Sequence, residues 1–266
     1  MSGQYIIGGG ASGAARLDVL AATTWPASES FLQAAGLGDA KTLLDAGCGN
    51  GAITLRIAAG IGRGAAITGL DRDAGMIRFA REAATSQNLP VKFLRCDLEH
   101  EPPPGGGYDL VYARLLLSHL RDPEAALGKL AAALAPGGIL AAEDVDFEGH
   151  YCRPSCAAFS RYVVWYEAAA RLRGADPRLG PRLFALFRAA GITRIRRRSL
   201  RPAFREGDGK WMALLTLRAI REAVLGAGIA TAAEIAATEI ELEAFTRSPD
   251  SILSLPRFHQ VSGRRP

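Results

Sequence analysis

Lysine is nearly absent from this chain, with four residues among a combined 32 Lys and Arg. Surfaces that bind phosphate recruit lysine as well as arginine, so this skew reflects composition more than nucleic-acid docking. Cysteine is also scarce: Cys48, Cys96, Cys152 and Cys156 are too few for a disulfide-stapled scaffold. No apolar run approaches the ~18–20 residues of a membrane span, which argues against a membrane partner. The opening Met1-Ser2-Gly3-Gln4 shows neither a basic segment nor an apolar one, so the expected compartment is the cytoplasm.

What is present is an ordinary globular profile. The 266 residues are 48% hydrophobic and 22% charged, too apolar for a disordered chain. The net charge of +5 gathers partly in Arg188, Arg194, Arg196, Arg197, Arg198, Arg201 and Arg205. A solvated face or a charged edge strand accounts for such a run more readily than nucleic-acid binding does.

From Lys41 the chain alternates strand and helix. Strands are expected at 42–46, 65–70, 91–96, 108–113 and 139–143. Helices are expected after Gly51, after Asp73 and over Pro123–Ala135, the last opened by an Asp122-Pro123 cap. Pro136-Gly137-Gly138 reads as a turn. This rhythm predicts an α/β fold with a doubly wound parallel sheet. Beyond Glu143 helices are expected at 155–173, 180–190, 211–225 and 231–245, with strands at 192–200 and 258–261.

Two glycine motifs compete for a nucleotide. Gly8, Gly10 and Gly13 match G-x-G-x-x-G, but only a very short strand precedes them, and Trp25-Pro26 stands where the next strand belongs. The second motif, Asp45 to Gly51, follows an apolar strand, opens a helix, and is answered by Asp71 at the end of the next strand. Its glycines permit a tight turn and close ligand approach. The helix N-terminus offers free N–H groups to an anion, and Asp71 can accept from two ribose hydroxyls. Gly47, Gly49 and Ala52 also satisfy the nicotinamide fingerprint. Asp45 ahead of the glycines, Asp97 ending the third strand, and the lack of an evident second βαβ half favour an adenosyl amino acid.

Leu43-Leu44-Asp45-Ala46-Gly47-Cys48-Gly49-Asn50-Gly51, Gly69-Leu70-Asp71, Cys96-Asp97, Tyr108-Asp109-Leu110-Val111-Tyr112 and Leu134-Ala135-Pro136-Gly137-Gly138 together resemble the ordered motifs of class I S-adenosylmethionine-dependent methyltransferases. The resemblance implies a seven-stranded, mostly parallel, Rossmann-like sheet with an antiparallel last strand and a helical lid. It divides the chain into a cap-helix region at 1–40, a cofactor core at 41–150, and lid insertions with the last two strands at 151–266. S-adenosyl-L-methionine is the implied cofactor. Asp45, Ala46, Gly47, Cys48 and Gly49 would meet its methionine part, Asp71 its ribose, and Asp97 with Leu98 its adenine. Arg72, Met76 and Arg114 complete the pocket, while Tyr5 and Arg16 would touch the cofactor from the N-terminal segment.

Methyl transfer needs a base only for a protonated acceptor. His119 and Asp144 are the expected catalytic groups, with Asp146 and His150 as further candidates; packing and capping roles compete for each. Tyr151, Tyr162, Trp165 and Tyr166, beside Phe159, are the expected acceptor wall, or else a helix packing its aromatic face on the sheet. His150, Cys152 and Cys156 lack a fourth metal ligand, so no metal is expected. The predicted activity is methylation of a small organic acceptor, by a chain that can also pair as a homodimer. RNA or protein methylation through the arginine cluster, a cofactor-binding scaffold that does not methylate, and a nicotinamide oxidoreductase are the alternatives.

Overall fold

A computed structural model describes residues 10–61 and 64–266. Tyr5 and the first glycine of the N-terminal motif lie outside the described residues. Where that motif would need a second strand, the chain is helical: α1 runs over Gly10–Ala35 with Pro26 inside it.

The core begins with β1 (Thr42–Ala46), whose last four residues are all buried, as a central strand covered on both faces requires. It continues through α2 (Ala52–Gly60), β2 (Ala66–Asp71), α3 (Ala74–Ser86), β3 (Val91–Arg95), β4 (Tyr108–Arg114), α4 (Pro123–Ala132) and β5 (Leu134–Asp146). Asp73 caps α3 by accepting from Gly75 and Met76 N–H, and Asp122 caps α4 through Ala125. The remainder is β6 (Cys152–Arg153), α5 (Ala157–Leu172), α6 (Leu183–Ala189), β7 (Thr193–Leu200), β8 (Ala203–Phe204), α7 (Met212–Gly226), α8 (Ala232–Arg247), β9 (Ile252–Ser254) and β10 (Arg257–Arg264).

The main sheet has seven strands in the order β3-β2-β1-β4-β5-β10-β7. Neighbours from β3 to β5 pair parallel, while β10 pairs antiparallel with both β5 and β7. The expected doubly wound sheet with an antiparallel last strand is therefore observed. On one face α1 and α2 pack Phe31, Leu32, Ile53 and Ile57 over Leu43 and Tyr112. On the other, α4 and α6 pack Leu127, Leu130, Leu183 and Phe187 over Leu44 and Val111. A further core joins α5, α7 and α8 above the ends of β5 and β10. Among the described residues no helix is long and apolar enough to cross a membrane.

Two local expectations are corrected. Helix α4 stops at Ala132, and Pro136-Gly137-Gly138 lies within β5. The reason is tertiary: Gly137 N–H donates to the Arg265 carbonyl, Arg265 N–H donates to Gly138 O, and the Arg265 guanidinium donates to Ala132 O and Leu134 O. A separate three-stranded sheet, β6-β9-β8, was not anticipated. Of the arginine run, Arg194, Arg196, Arg197 and Arg198 lie in β7, an edge strand of the main sheet, while Arg188 falls in α6 and Arg201 and Arg205 follow β7. Arg197 lies over Phe184 at 5.0 Å, and Arg198 donates to Gln260 Oε1 and Ala27 O. Those two arginines are engaged within the fold.

Candidate active site

The site lies where β1, β2 and β4 end. Chain reversal after β1 relies on left-handed glycines, with φ of +73° at Gly47 and +56° at Gly49. A Cβ on Gly47 would lie 2.8 Å from Leu116 Cδ1. Gly47 and Cys48 N–H both donate to Leu70 O, at 2.7 and 2.8 Å. Gly49 N–H donates to Asp71 Oδ2 and Asp73 N–H to Asp71 Oδ1, each at 2.9 Å. Asp71 thus ties the glycine turn to the start of α3, and burial raises its carboxyl above the usual range against those two bonds.

Asp45 is 2% exposed and accepts from Thr54 Oγ1 at 2.6 Å. Burial pushes its carboxyl up to about 7, opposed by the Thr54 bond and the charge of Arg114. Helix α1 closes the cleft from above. Asn50 Nδ2 holds it by donating to Ala14 O and Asp18 Oδ1, and Arg114 Nη2 donates to Thr24 Oγ1.

A cleft of about 200 Å³ results, lined by Arg16, Asp45, Gly47, Cys48, Gly49, Asp71, Met76, Arg114 and His119 among others. Arg72, Asp97 and Leu98 instead line a small recess that shares Gly47, Asp71 and Leu116 with the cleft. Ala46 is fully buried and lines neither cavity. Leu17, Leu20, Asn50 and Leu115 belong to the cleft but were not anticipated. The positive φ of Leu115, +51°, is invisible in sequence because leucine seldom adopts it.

Beside the cleft lies a compartment of about 50 Å³ lined by Phe147, His150, Tyr162, Tyr166, Met212, Thr216 and Phe258. The two cavities share Arg16, Leu20, Leu115 and His119. Tyr162 and Tyr166, one turn apart on α5, reach it, and Tyr166 stacks on Phe147 with centroids 4.1 Å apart. Burial pushes Tyr166 up to about 12. Two expected wall residues stand elsewhere. Trp165 is 8% exposed within the lid core, and Tyr151 lies under Arg201 at 4.7 Å.

The candidate bases separate as well. His119 stands at the junction of the two cavities, pushed down to about 4 by burial with help from Arg16 and Arg72. Asp144 lines neither cavity. Its oxygens accept from Ser118 N–H at 3.0 Å and Val145 N–H at 2.9 Å, so the expected base is a brace for the loop after β4. Asp146 caps a turn by accepting from Glu148 N–H. His150 Nε2 faces Ser254 O at 2.8 Å, its Nδ1 is buried without a partner, and burial drives it down to about 3. Among the described residues no group of three or more His, Cys, Asp or Glu side chains suits a metal.

The residues present suit an adenosyl amino acid on structural grounds. The left-handed glycine turn lines the cleft with backbone in place of side chain, and Arg114 keeps a buried Nε without an acceptor at the cleft wall. Asp45 can face a cationic amine, and Arg114 a carboxylate.

Comparison with known proteins agrees. Residues 43–138 match the methyltransferase domain family. Over 147 residues the chain is 38% identical to the trans-aconitate 2-methyltransferase of Paracidovorax citrulli, covering 54% of each protein. It is 32% identical over 100 residues to the ubiquinone biosynthesis O-methyltransferase of Coxiella burnetii, covering 38% of this chain and 42% of that one. The chain thus spans about half the length of the curated relatives it matches. The fold matches phosphoethanolamine N-methyltransferase 2 of Haemonchus contortus, solved with S-adenosyl-L-methionine. That match has a TM-score of 0.56 at 16% identity, covering 91% of this chain and 53% of that one. The sheet order, the acidic strand ends, the glycine turn and the matched stretch agree: residues 43–138 carry a methyltransferase domain of the class I S-adenosylmethionine-dependent type.

Proposed function

We propose that the protein transfers a methyl group from S-adenosylmethionine to a small organic acceptor held under the lid. The observation that carries this reading is the junction of the cofactor cleft with a compartment rich in aromatic side chains through Arg16, Leu20, Leu115 and His119. When bound, the cofactor supplies an electrophilic methyl carbon on a sulfonium, whose departure leaves a neutral thioether. In this reading Asp45 and Arg114 bind the amino-acid part, Asp71 the ribose, and Asp97 with Leu98 the base. The aromatic rings exclude water and align the acceptor; such alignment can supply up to ~7–11 kcal/mol of a barrier.

His119 remains neutral near pH 7 and can take a hydrogen bond from an acceptor hydroxyl at the junction. The aromatic and aliphatic side chains around this compartment suit the apolar body of a small acceptor. The trans-aconitate 2-methyltransferase and the ubiquinone biosynthesis O-methyltransferase that the chain resembles are named for small molecules, which supports the same reading. Four free thiols suit a reducing compartment, the cytoplasm. Incubating the protein with methyl-labelled cofactor and a fractionated metabolite extract tests the proposal. Label in a low-molecular-weight product is expected; label only in RNA or protein, or none at all, would refute it.

A further inference from the structure

Arg16 is the charged side chain shared by the cofactor cleft and the acceptor compartment. It is 8% exposed. Its Nε donates to Thr216 Oγ1 of α7 at 3.1 Å, and the Thr216 hydroxyl in turn donates to Met212 O at 2.7 Å. Arg16 Nη1 is buried with no acceptor. A buried guanidinium with an unused donor is costly unless an anion completes it.

Two facts say which cavity that anion comes from. Arg114 lines the cleft and not the acceptor compartment, and it already gives the cleft a cation with a spare donor. The acceptor compartment, in contrast, has Arg16 as its one charged residue among the described lining. Its two histidines are held neutral near pH 7 by burial, and the rest is aromatic, aliphatic or hydroxyl-bearing. The lid fixes the guanidinium through Thr216, so its free edge is set when α7 is in place.

We propose that Arg16 anchors the acceptor: the protein takes a small monoanionic carboxylic acid whose apolar or aromatic body packs on Phe147, Tyr162, Tyr166 and Phe258. This rests on the methyl-transfer reading and moves Arg16 from the expected cofactor set to the acceptor. Buried charge pairing then selects acids over amides and amines of the same shape, because only the acid satisfies the guanidinium.

Calorimetric titration tests the assignment with probes that do not depend on turnover. The protein is saturated with S-adenosylhomocysteine and titrated with small carboxylic acids from isovalerate to phenylacetate, each beside its own amide. At least one acid is expected to bind about 30-fold or more tightly than its amide, the discrimination typical of a buried charge pair. Arg16→Gln is expected to erase that preference, Arg16→Lys to keep part of it, and both to hold S-adenosylhomocysteine within about threefold of wild type. Equal binding of acids and amides, or no acid binding at all, would overturn the proposal. So would a loss of S-adenosylhomocysteine affinity in Arg16→Gln with 5′-methylthioadenosine, which lacks the amino-acid part, unaffected: Arg16 would then serve the cofactor. Failure of the wild type to bind S-adenosylhomocysteine would instead refute the underlying methyl-transfer reading.

Discussion

Lowering the pH from 8 to 6 is expected to weaken S-adenosylhomocysteine binding about tenfold, through protonation of Asp45. Burial raises this carboxyl to about 7 in the free protein. A ligand amine needs the carboxylate, so protonated molecules bind poorly. At pH 6 about nine molecules in ten carry the proton, and at pH 8 about one in ten, which sets the tenfold factor. Binding at pH 6 must then release nearly one proton, read as calorimetric enthalpies that vary with the ionisation enthalpy of the buffer. His119, at about 4, titrates below this window and does not confuse it. Asp45→Asn should bind more weakly at every pH but show no pH slope. The same shift predicts stability with the opposite preference. The folded pKa lies above the unfolded value, so the contribution is present in acid and lost as pH rises through 7. About three units at ~1.4 kcal/mol each amount to about 4 kcal/mol, so Asp45→Asn should raise the Tm of the ligand-free protein at pH 8 and leave it unchanged at pH 3.5. Affinity that is flat from pH 6 to 8, or a slope that survives in Asp45→Asn, would refute the reasoning.

Four further outcomes follow from the geometry. Asp71→Ala frees the Gly49 and Asp73 N–H groups and should cost about 1–3 kcal/mol of stability with more than tenfold loss of S-adenosylhomocysteine affinity; urea unfolding and calorimetry check the two. Gly47→Ala puts a Cβ at 2.8 Å from Leu116 in a left-handed backbone and should lower cofactor affinity together with Tm, an effect absent at the open position Gly128→Ala. Glu143, which accepts from Ser28, Tyr112 and Gln260, joins α1, β4, β5 and β10, so Glu143→Ala should destabilise by about 3–5 kcal/mol in urea; a loss below 1 kcal/mol would contradict this network. His150 is depressed to about 3, below its unfolded value near 6.5, so the stability it contributes is lost as pH falls from about 6.5 to 3, and His150→Phe should flatten acid unfolding across that span.

The glycine turn, its flanking strands and Asp71 were legible because each rests on neighbours in sequence. An apolar strand, a tight turn that needs positive φ, and an acid at the next strand end need no distant partner to be read. The wall of the compartment beside the cleft was legible only in part. Tyr162, Trp165 and Tyr166 all recur at helical spacing, but α5 is covered on more than one side by α7, α8 and the end of β5. The helix exposes the stripe of Ala157, Ser160, Val164 and Arg171, and across so wide a buried remainder the helical period does not show which aromatic meets a cavity. Asp144 and His119 looked alike as polar residues past strand ends. Only the placement of the Ser118 and Val145 N–H groups beside Asp144 turned one of them into a brace.

Composition and local pattern by themselves determined an α/β core, the strand-ending acids and the glycine turn, since these follow from periodicity and backbone sterics within a few residues. Tertiary structure alone decided that β5 runs through Pro136–Gly138, that β6, β8 and β9 pair, and that Arg16 meets Thr216 across 200 positions of chain. Those outcomes depend on donors and acceptors brought together from distant segments, and no local period records such a meeting.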